Sequence, residues 1–198
     1  MSIKYTKQPV VRMAKTQELT PEIIKHLIEK FQVHRKRYEE LDNYYTGNHP
    51  ILQRTFEDKS KPNNRMVNNF ASYIVDVRNG YFTGVPVIYT SYNQAYLEKI
   101  KEIFDYNNEP DELSDLDKTS NIKGHAYELV WIDEEGNIRF NNLEPDEVIM
   151  IYSADITETP LYAIRYYNEH DPLDDLKFVT RIFAYSADDI KEYEMESS

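Results

Sequence analysis

The side chains best suited to bind a metal ion or to transfer a proton are the five histidines of the chain, His26, His34, His49, His125 and His170. Zinc-binding helices often place two histidines four residues apart, as in His-Glu-x-x-His, so that both lie on one face. No two histidines here have that spacing. We therefore interpret each as a surface or half-buried polar group. His170-Asp171 is only an isolated candidate for joining other carboxylates around a metal.

Other catalytic chemistry lacks a recognisable motif as well. With 35 acidic residues, neighbouring carboxylates arise by chance and do not indicate an acid–base pair. Cysteine is absent, and neither the phosphate-binding pattern Gly-x-x-x-x-Gly-Lys nor Gly-x-Gly-x-x-Gly occurs. The serines lie outside the Gly-x-Ser-x-Gly context that exposes a nucleophile. We predict a non-enzymatic protein with no catalytic, metal-binding or cofactor-binding residues and no cofactor.

The charge of the chain also limits its partners. A net charge of -12 argues against general affinity for nucleic acid, which needs clustered lysine and arginine. The dense basic run, residues 34–37, spreads around a helix at about 100° per residue, so we interpret it as solvated. A local basic surface remains an alternative in the loop that follows, which contains Arg54, Lys59, Lys61 and Arg65. No secretion signal and no apolar run of about 20 residues is visible, which predicts a soluble protein without membrane contact.

The elements of the N-terminal half are predicted to be helices. Residues 1–19 show no period and are expected to form a flexible arm, and Thr20-Pro21 then starts a helix with a capping hydroxyl and a proline. Gly47 and Gly84 should end the first and second helices with positive φ. A loop is predicted over 48–65 and a short strand over 86–90. A third helix is marked by Leu97, Ile100, Ile103 and Phe104. A fourth, acidic helix is predicted over 110–121, with Leu113 and Leu116.

From Gly124 onward the apolar period changes to two, which is typical of strands. A hairpin is predicted over residues 125–140 with Gly136 in its turn. Further strands follow over 148–152, 161–167, 178–185 and 190–195. The fold class is therefore α+β, with N-terminal helices followed by a mostly antiparallel β meander. The division predicted from this pattern is an arm over 1–19 and one α+β domain over 20–198.

Tyrosine and asparagine are the remaining residue types that could form a binding surface. The chain has 17 tyrosines, mainly at predicted helix ends and on strands. Packing in the core or at a subunit interface explains them better than a carbohydrate-binding face. The pairs Asn63-Asn64 and Asn68-Asn69 are interpreted as loop and N-cap residues of the second helix.

Several short motifs follow one another along the chain. The first two are Tyr-Tyr-x-Gly-x-His at 44–49 and Asn-Asn-Arg-x-Val-x-Asn-Phe at 63–70. The others are the segments Val75–Pro86, Gly124–Glu128 and Leu143–Val148. None is catalytic, but their order, from about residue 20 to the C-terminus, resembles that of the portal proteins of long-tailed bacteriophages and prophages.

This resemblance implies a virion structural protein that forms a twelve- or thirteen-subunit ring, the connector through which double-stranded DNA is packaged and ejected. It implies partners as well: terminase, scaffold or capsid proteins, and head–tail adaptors. Assembly is expected in the host cytoplasm, followed by residence at the portal vertex of the capsid. Duplex DNA would pass through the complete ring with little direct binding by these residues.

Portal proteins are usually more than twice as long as this chain. The resemblance therefore implies that these residues form the outer wing region, without the channel helix, clip and crown. The alternative hypothesis is an acidic adaptor or DNA-mimic protein that acts through its negative surface. An enzyme with metal-bound carboxylates is a third and weaker hypothesis.

Overall fold

The structure is a computed structural model and describes residues 10–58, 60, 62–171 and 173–196. Its helices are α1 (Pro21–Thr46), α2 (Phe70–Thr83), α3 (Gln94–Asn107) and α4 (Glu109–Lys123). Its strands are β1 (Val11–Met13), β2 (Tyr127–Ile132), β3 (Ile138–Leu143), β4 (Val148–Ser153), β5 (Pro160–Asp171), β6 (Asp174–Tyr185) and β7 (Ile190–Glu196). Helices thus precede mostly antiparallel strands, which confirms the predicted α+β class.

The chain divides into two compact units. The sheet unit contains Met1–Lys36 and Asp146–Ser198, and the helical unit contains Arg37–Pro145. The helix α1 contributes residues to both. This division differs from the arm over 1–19 and the single domain over 20–198 that the sequence pattern suggested.

The sheet unit is built around five strands in the order β1-β4-β5-β6-β7. The strands β4 to β7 pair antiparallel with their neighbours, as the meander predicted. Ile151 and Ile164 are fully buried in this sheet. The first part of α1 buries Ile24, Ile28 and Phe31, and the Phe31 ring meets Tyr166 edge-on at 6.4 Å. Apolar burial on one helix face and one sheet face therefore holds this unit together.

Part of the predicted N-terminal arm is a strand. Val11–Met13 pairs parallel with Ile151–Ser153 of β4, and Met13 is buried. Lys15 then binds Asp155 at 2.5 Å, which lowers the pKa of that carboxyl through a hydrogen bond from the ammonium and others from Ser153 and Thr157. A three-residue strand has no readable period, so its partner strand decides its structure. Residues 1–9 lie outside the described residues.

The helical unit places α2 against α4, and α3 against α4 and β3. The strands β2 and β3 form the predicted hairpin, whose turn glycine, Gly136, has φ +85°. The buried Asn107 joins α3 to β3: its Nδ2 donates to the Ile138 carbonyl at 2.9 Å, and its Oδ1 accepts from the Phe140 N–H at 3.2 Å. A buried amide with both ends satisfied fixes the position of the hairpin on the helix.

The strand predicted over residues 86–90 is wrong: all five residues are described and none belongs to a strand. Among the described residues of this unit, β2 and β3 pair with each other, and neither pairs with residues 86–90. Tyr89 instead packs its ring against Phe104 at 4.9 Å and donates to Glu109 at 2.6 Å. β-type residues form a strand only where another strand offers its edge.

The two glycines that end α1 and α2 do so by different means. Gly47 has φ +82°, as predicted, a conformation that favours glycine. Gly84 ends α2 with φ -66°, so the predicted positive φ is wrong there. A methyl group added at Gly84 would lie 2.2 Å from the carbonyl oxygen of Gly80. Glycine is required at this position because the backbone closely approaches the preceding turn, and not because its φ is positive.

Gly84→Ala should therefore lower the free energy of unfolding by about 1–3 kcal/mol, because the end of α2 must shift to admit the methyl group. Gly80→Ala is the matched control, since its added methyl group meets nothing within 4 Å. Alanine in place of a helical glycine should raise stability by about 0.5–1 kcal/mol. Urea unfolding of both variants measures the difference, and changes of the same sign would contradict this explanation of Gly84.

Candidate assembly interface

Asn69 joins the end of α1 to the start of α2. Its Nδ2 donates to the Tyr45 carbonyl at 2.7 Å, and its Oδ1 accepts from the Ser72 N–H at 3.2 Å, which caps α2. A methyl group at Gly47 would lie 3.2 Å from Asn69 Nδ2. The N-cap interpretation of this asparagine is confirmed. The motifs at 44–49 and 63–70 thus contact one another where α1 ends and α2 begins, which we call the α1–α2 joint.

The same joint orients α2 about its own axis. Tyr45 Oη donates to Asp76 Oδ1 at 2.7 Å, and Ser72 Oγ donates to Asp76 Oδ2 at 3.0 Å. The hydrogen bond from Tyr45 lowers the pKa of Asp76, with further help from Ser72. Lys118 of α4 lies over the Tyr45 ring at 5.2 Å. The carboxylate of α2 is thereby turned toward α1 and α4.

The face of α2 that meets α4 is largely polar. Val75 is buried, but Thr83 Oγ1 lies 3.3 Å from Ser114 Oγ, and the amide of Asn79 lies 3.1 Å from the same hydroxyl. A helix usually turns its apolar stripe toward the core and its polar face toward water. Here the hydrogen-bonding face is the inner one.

The outer face of α2 carries the large apolar side chains, Phe70, Tyr73, Ile74, Val77 and Tyr81. They recur every three or four residues and so lie on one face of the helix, and each is between 54% and 94% exposed. This spacing predicts a helix correctly, but the face points away from the unit's interior. Across the described residues, no helix is both long and apolar enough to cross a membrane.

Exposed apolar side chains continue at the end of α2 and in the segment that follows it. They are Phe82, in the last turn of α2, and Val85, Val87, Ile88 and Tyr92 after it. We call these five residues and the five of the outer face of α2 the α2 surface. Their side chains together expose on the order of 1,000 Å², given about 150–250 Å² for each aromatic residue. Monomeric soluble proteins rarely expose apolar patches larger than a few hundred Å². The α2 surface is therefore the strongest candidate for an interface.

Two later motifs of the sequence meet around a buried lysine. Lys123, at the end of α4, is buried and binds Glu144 at 2.6 Å and Asp42 of α1 at 3.1 Å. Next to it, Tyr38 Oη and His125 Nε2 are 3.2 Å apart. Through His125 and Glu144, the segments Gly124–Glu128 and Leu143–Val148 thus contribute contacts within the helical unit. The sequence gives no sign of Lys123, because a buried lysine can be recognised only by its partners.

The basic residues considered as a nucleic-acid surface have other roles. Arg54 donates to the Asn64 carbonyl at 3.1 Å, and Arg65 donates to the Leu52 carbonyl at 2.7 Å, so both tie the loop after α1. In the run over 34–37, two side chains are half-buried and two are exposed, and Arg37 binds Glu40 at 2.9 Å. Lys59 and Lys61 lie outside the described residues.

The histidines are dispersed. His26 is exposed, His34 contacts the Phe31 ring at 5.8 Å, His49 meets Tyr44 edge-on at 5.0 Å, and His170 contacts Phe178 at 5.6 Å. Among the described residues, no group of three or more histidine, aspartate or glutamate side chains could hold a metal ion. Among the tyrosines, Tyr38 and Tyr166 are buried in the core, whereas Tyr73, Tyr81 and Tyr92 belong to the α2 surface.

His125 should make stability depend on pH. Burial, followed by the charge of Lys123, lowers the pKa of His125, whereas in the unfolded chain a histidine pKa is about 6.5. Above that value the imidazole is neutral in both states. As the pH falls below it, the unfolded chain takes up the proton more readily, so the free energy of unfolding decreases.

His125→Asn should remove this part of the pH dependence. Urea unfolding of both proteins at about pH 7.5 and about pH 5.5 should show a smaller loss of stability on acidification in the variant. The pKa of His34 is also lowered, by burial and then by the charge of Lys30. Because His34 is present in both proteins, its contribution to the pH dependence cancels in the comparison. Equal losses would show that His125 does not contribute.

Comparison with known proteins agrees with the motif order. The family model described as phage portal protein, SPP1 Gp6-like, matches residues 24–198. The portal protein of Bacillus phage SPP1 is 32% identical over 111 residues, which span 56% of this chain and 22% of that relative. The matched segment is thus a small part of the relative's length. Because the family model covers most of the chain, this protein belongs to the SPP1 Gp6-like family of phage portal proteins.

Proposed function

We propose that the chain is a non-enzymatic structural part of the ring-shaped connector at one vertex of a phage capsid, through which double-stranded DNA is packaged and ejected. The α2 surface is the observation that carries the proposal. A helix that hydrogen-bonds on its inner side and exposes five large apolar side chains needs a partner in the assembled state. Membership of a portal family, which is a family of structural proteins, supports the same role.

A ring of identical subunits needs an interface in which one surface of a subunit meets a different surface of the next, with a rotation that closes. In the proposed assembly twelve or thirteen copies surround the DNA. Terminase, scaffold or capsid proteins and head–tail adaptors then dock on the ring. Assembly takes place in the host cytoplasm, and the mature location is the portal vertex of the virion.

Direct binding of duplex DNA by these residues is not part of the proposed role. The net charge is -12, and electrostatic attraction to phosphate dominates DNA affinity. Arg54 and Arg65 are already engaged with loop carbonyls. The DNA passes through the ring without being held by this part of the subunit.

Electron microscopy with an antibody tests the proposal. Gold-labelled antibody raised against this chain should mark phage particles from the strain that carries the gene, at a single vertex of each capsid. An unrelated antibody of the same class is the control. Label spread over the capsid, or particles that contain none of this chain, would contradict the proposed function.

A further inference from the structure

We propose that the partner of the α2 surface is a second copy of this chain. This inference rests on the proposed function and deepens it, because it assigns a contact between subunits to named residues. The residues at its centre are Phe70, Tyr73, Ile74, Val77 and Tyr81. Aromatic residues are enriched at the buried cores of protein interfaces, where charged residues are depleted.

The distribution of charge favours a second copy over a basic partner. The chain carries 35 acidic residues, yet the segment from Val77 to Leu97 contains none. Within α2 the only charged residues are Asp76 and Arg78, and Asp76 is turned toward Tyr45 and Ser72. Two copies with a charge of -12 each repel one another wherever acidic surfaces meet. The acid-free α2 surface of one copy is where a different surface of the next copy can approach with the least repulsion, as a closed ring requires, whereas a basic partner would be drawn to the acidic surfaces instead.

The size of the α2 surface fits a specific contact. A standard interface removes about 800 Å² from each partner, and the α2 surface exposes on the order of 1,000 Å². The segment after α2 is also held in place, because Tyr89 packs on Phe104 and donates to Glu109. Val87 and Ile88 beside it are therefore positioned before any partner arrives, which reduces the entropy lost on binding.

Cross-linking from α2 tests this inference, and the absence of cysteine from the chain makes a single introduced thiol specific. Tyr81→Cys carries benzophenone-maleimide and is mixed with ¹⁵N-labelled chain of the natural sequence at the highest soluble concentration. Lys101→Cys is the control, since Lys101 is exposed on α3. Mass spectrometry then separates products within one chain from products between labelled and unlabelled chains.

Position 81 should give at least about tenfold more product between chains than position 101, as expected for a central interface residue. The yield should rise with added salt, because salt screens like-charge repulsion. Products confined to one chain, equal yields at the two positions, or a yield that falls with salt would overturn the inference. Capsids labelled at one vertex, together with any of these results, would leave the proposed function standing and remove only the assigned contact.

Discussion

Ile74→Asp should weaken self-association of the chain by at least about 30-fold, which corresponds to about 2 kcal/mol. The variant places a carboxylate at the centre of the α2 surface, where association would bury it without a partner. Ile74 is 63% exposed in the single chain, so the free energy of unfolding should change by less than about 0.5 kcal/mol. Sedimentation equilibrium measures the association, and urea unfolding measures the stability.

Val33→Asp is the matched control for this result. Val33 lies on α1 in the sheet unit and is 72% exposed, so the same substitution adds the same charge at an exposed apolar position outside the α2 surface. Association should remain close to that of the natural chain. If the two variants weaken association equally, general charge repulsion and not the α2 surface is responsible.

Ile164→Ala should lower the free energy of unfolding by about 3 kcal/mol, whereas Ile74→Asp should leave it nearly unchanged. Ile164 is fully buried in β5, where it pairs with Ile149 on one side and Ala184 on the other. Truncation removes buried apolar surface and leaves a cavity that the paired strands cannot close. Urea unfolding provides the measurement.

Ile74→Ala is the comparison for the buried position, because it removes the same atoms from an exposed isoleucine. Its cost in stability should be less than about 0.5 kcal/mol. Equal costs at the two positions would mean that the outer face of α2 is buried within the single chain, contrary to the structure.

Elements with strong local signals could be predicted from the sequence. Thr20 and Pro21 begin α1, and the Thr20 hydroxyl accepts from the Ile23 N–H at 3.5 Å. Gly47 and Gly136 adopt the positive φ that their turns require. Caps, turn glycines and apolar periods act within a few residues, so the sequence displays them directly.

Features that depend on distant partners could not be predicted. The strand β1 exists because it pairs with the edge of β4, while residues 86–90 have β-type side chains and pair with no strand. The conformation of Gly84 follows from its approach to Gly80. Local propensity does not decide such cases, and tertiary contacts do.

The candidate site illustrates the same limit. The spacing of Phe70, Ile74, Val77 and Tyr81 predicts a helix with one apolar face, and such a face normally enters the core. Its outward direction follows from hydrogen bonds of Asn79 and Thr83 to Ser114 in another helix, which no local pattern reveals. The motif order identified the family, but only the structure indicates which surface is free to assemble.

The central claim is that another copy of the chain covers the outer face of α2. The most direct measurement is the rate at which a maleimide reacts with the single thiol of Tyr81→Cys as the protein concentration rises, with Lys101→Cys as the reference. The reaction at position 81 should slow in step with association, while the reaction at position 101 should not. A rate at position 81 that stays constant through the highest soluble concentration would contradict the proposed contact.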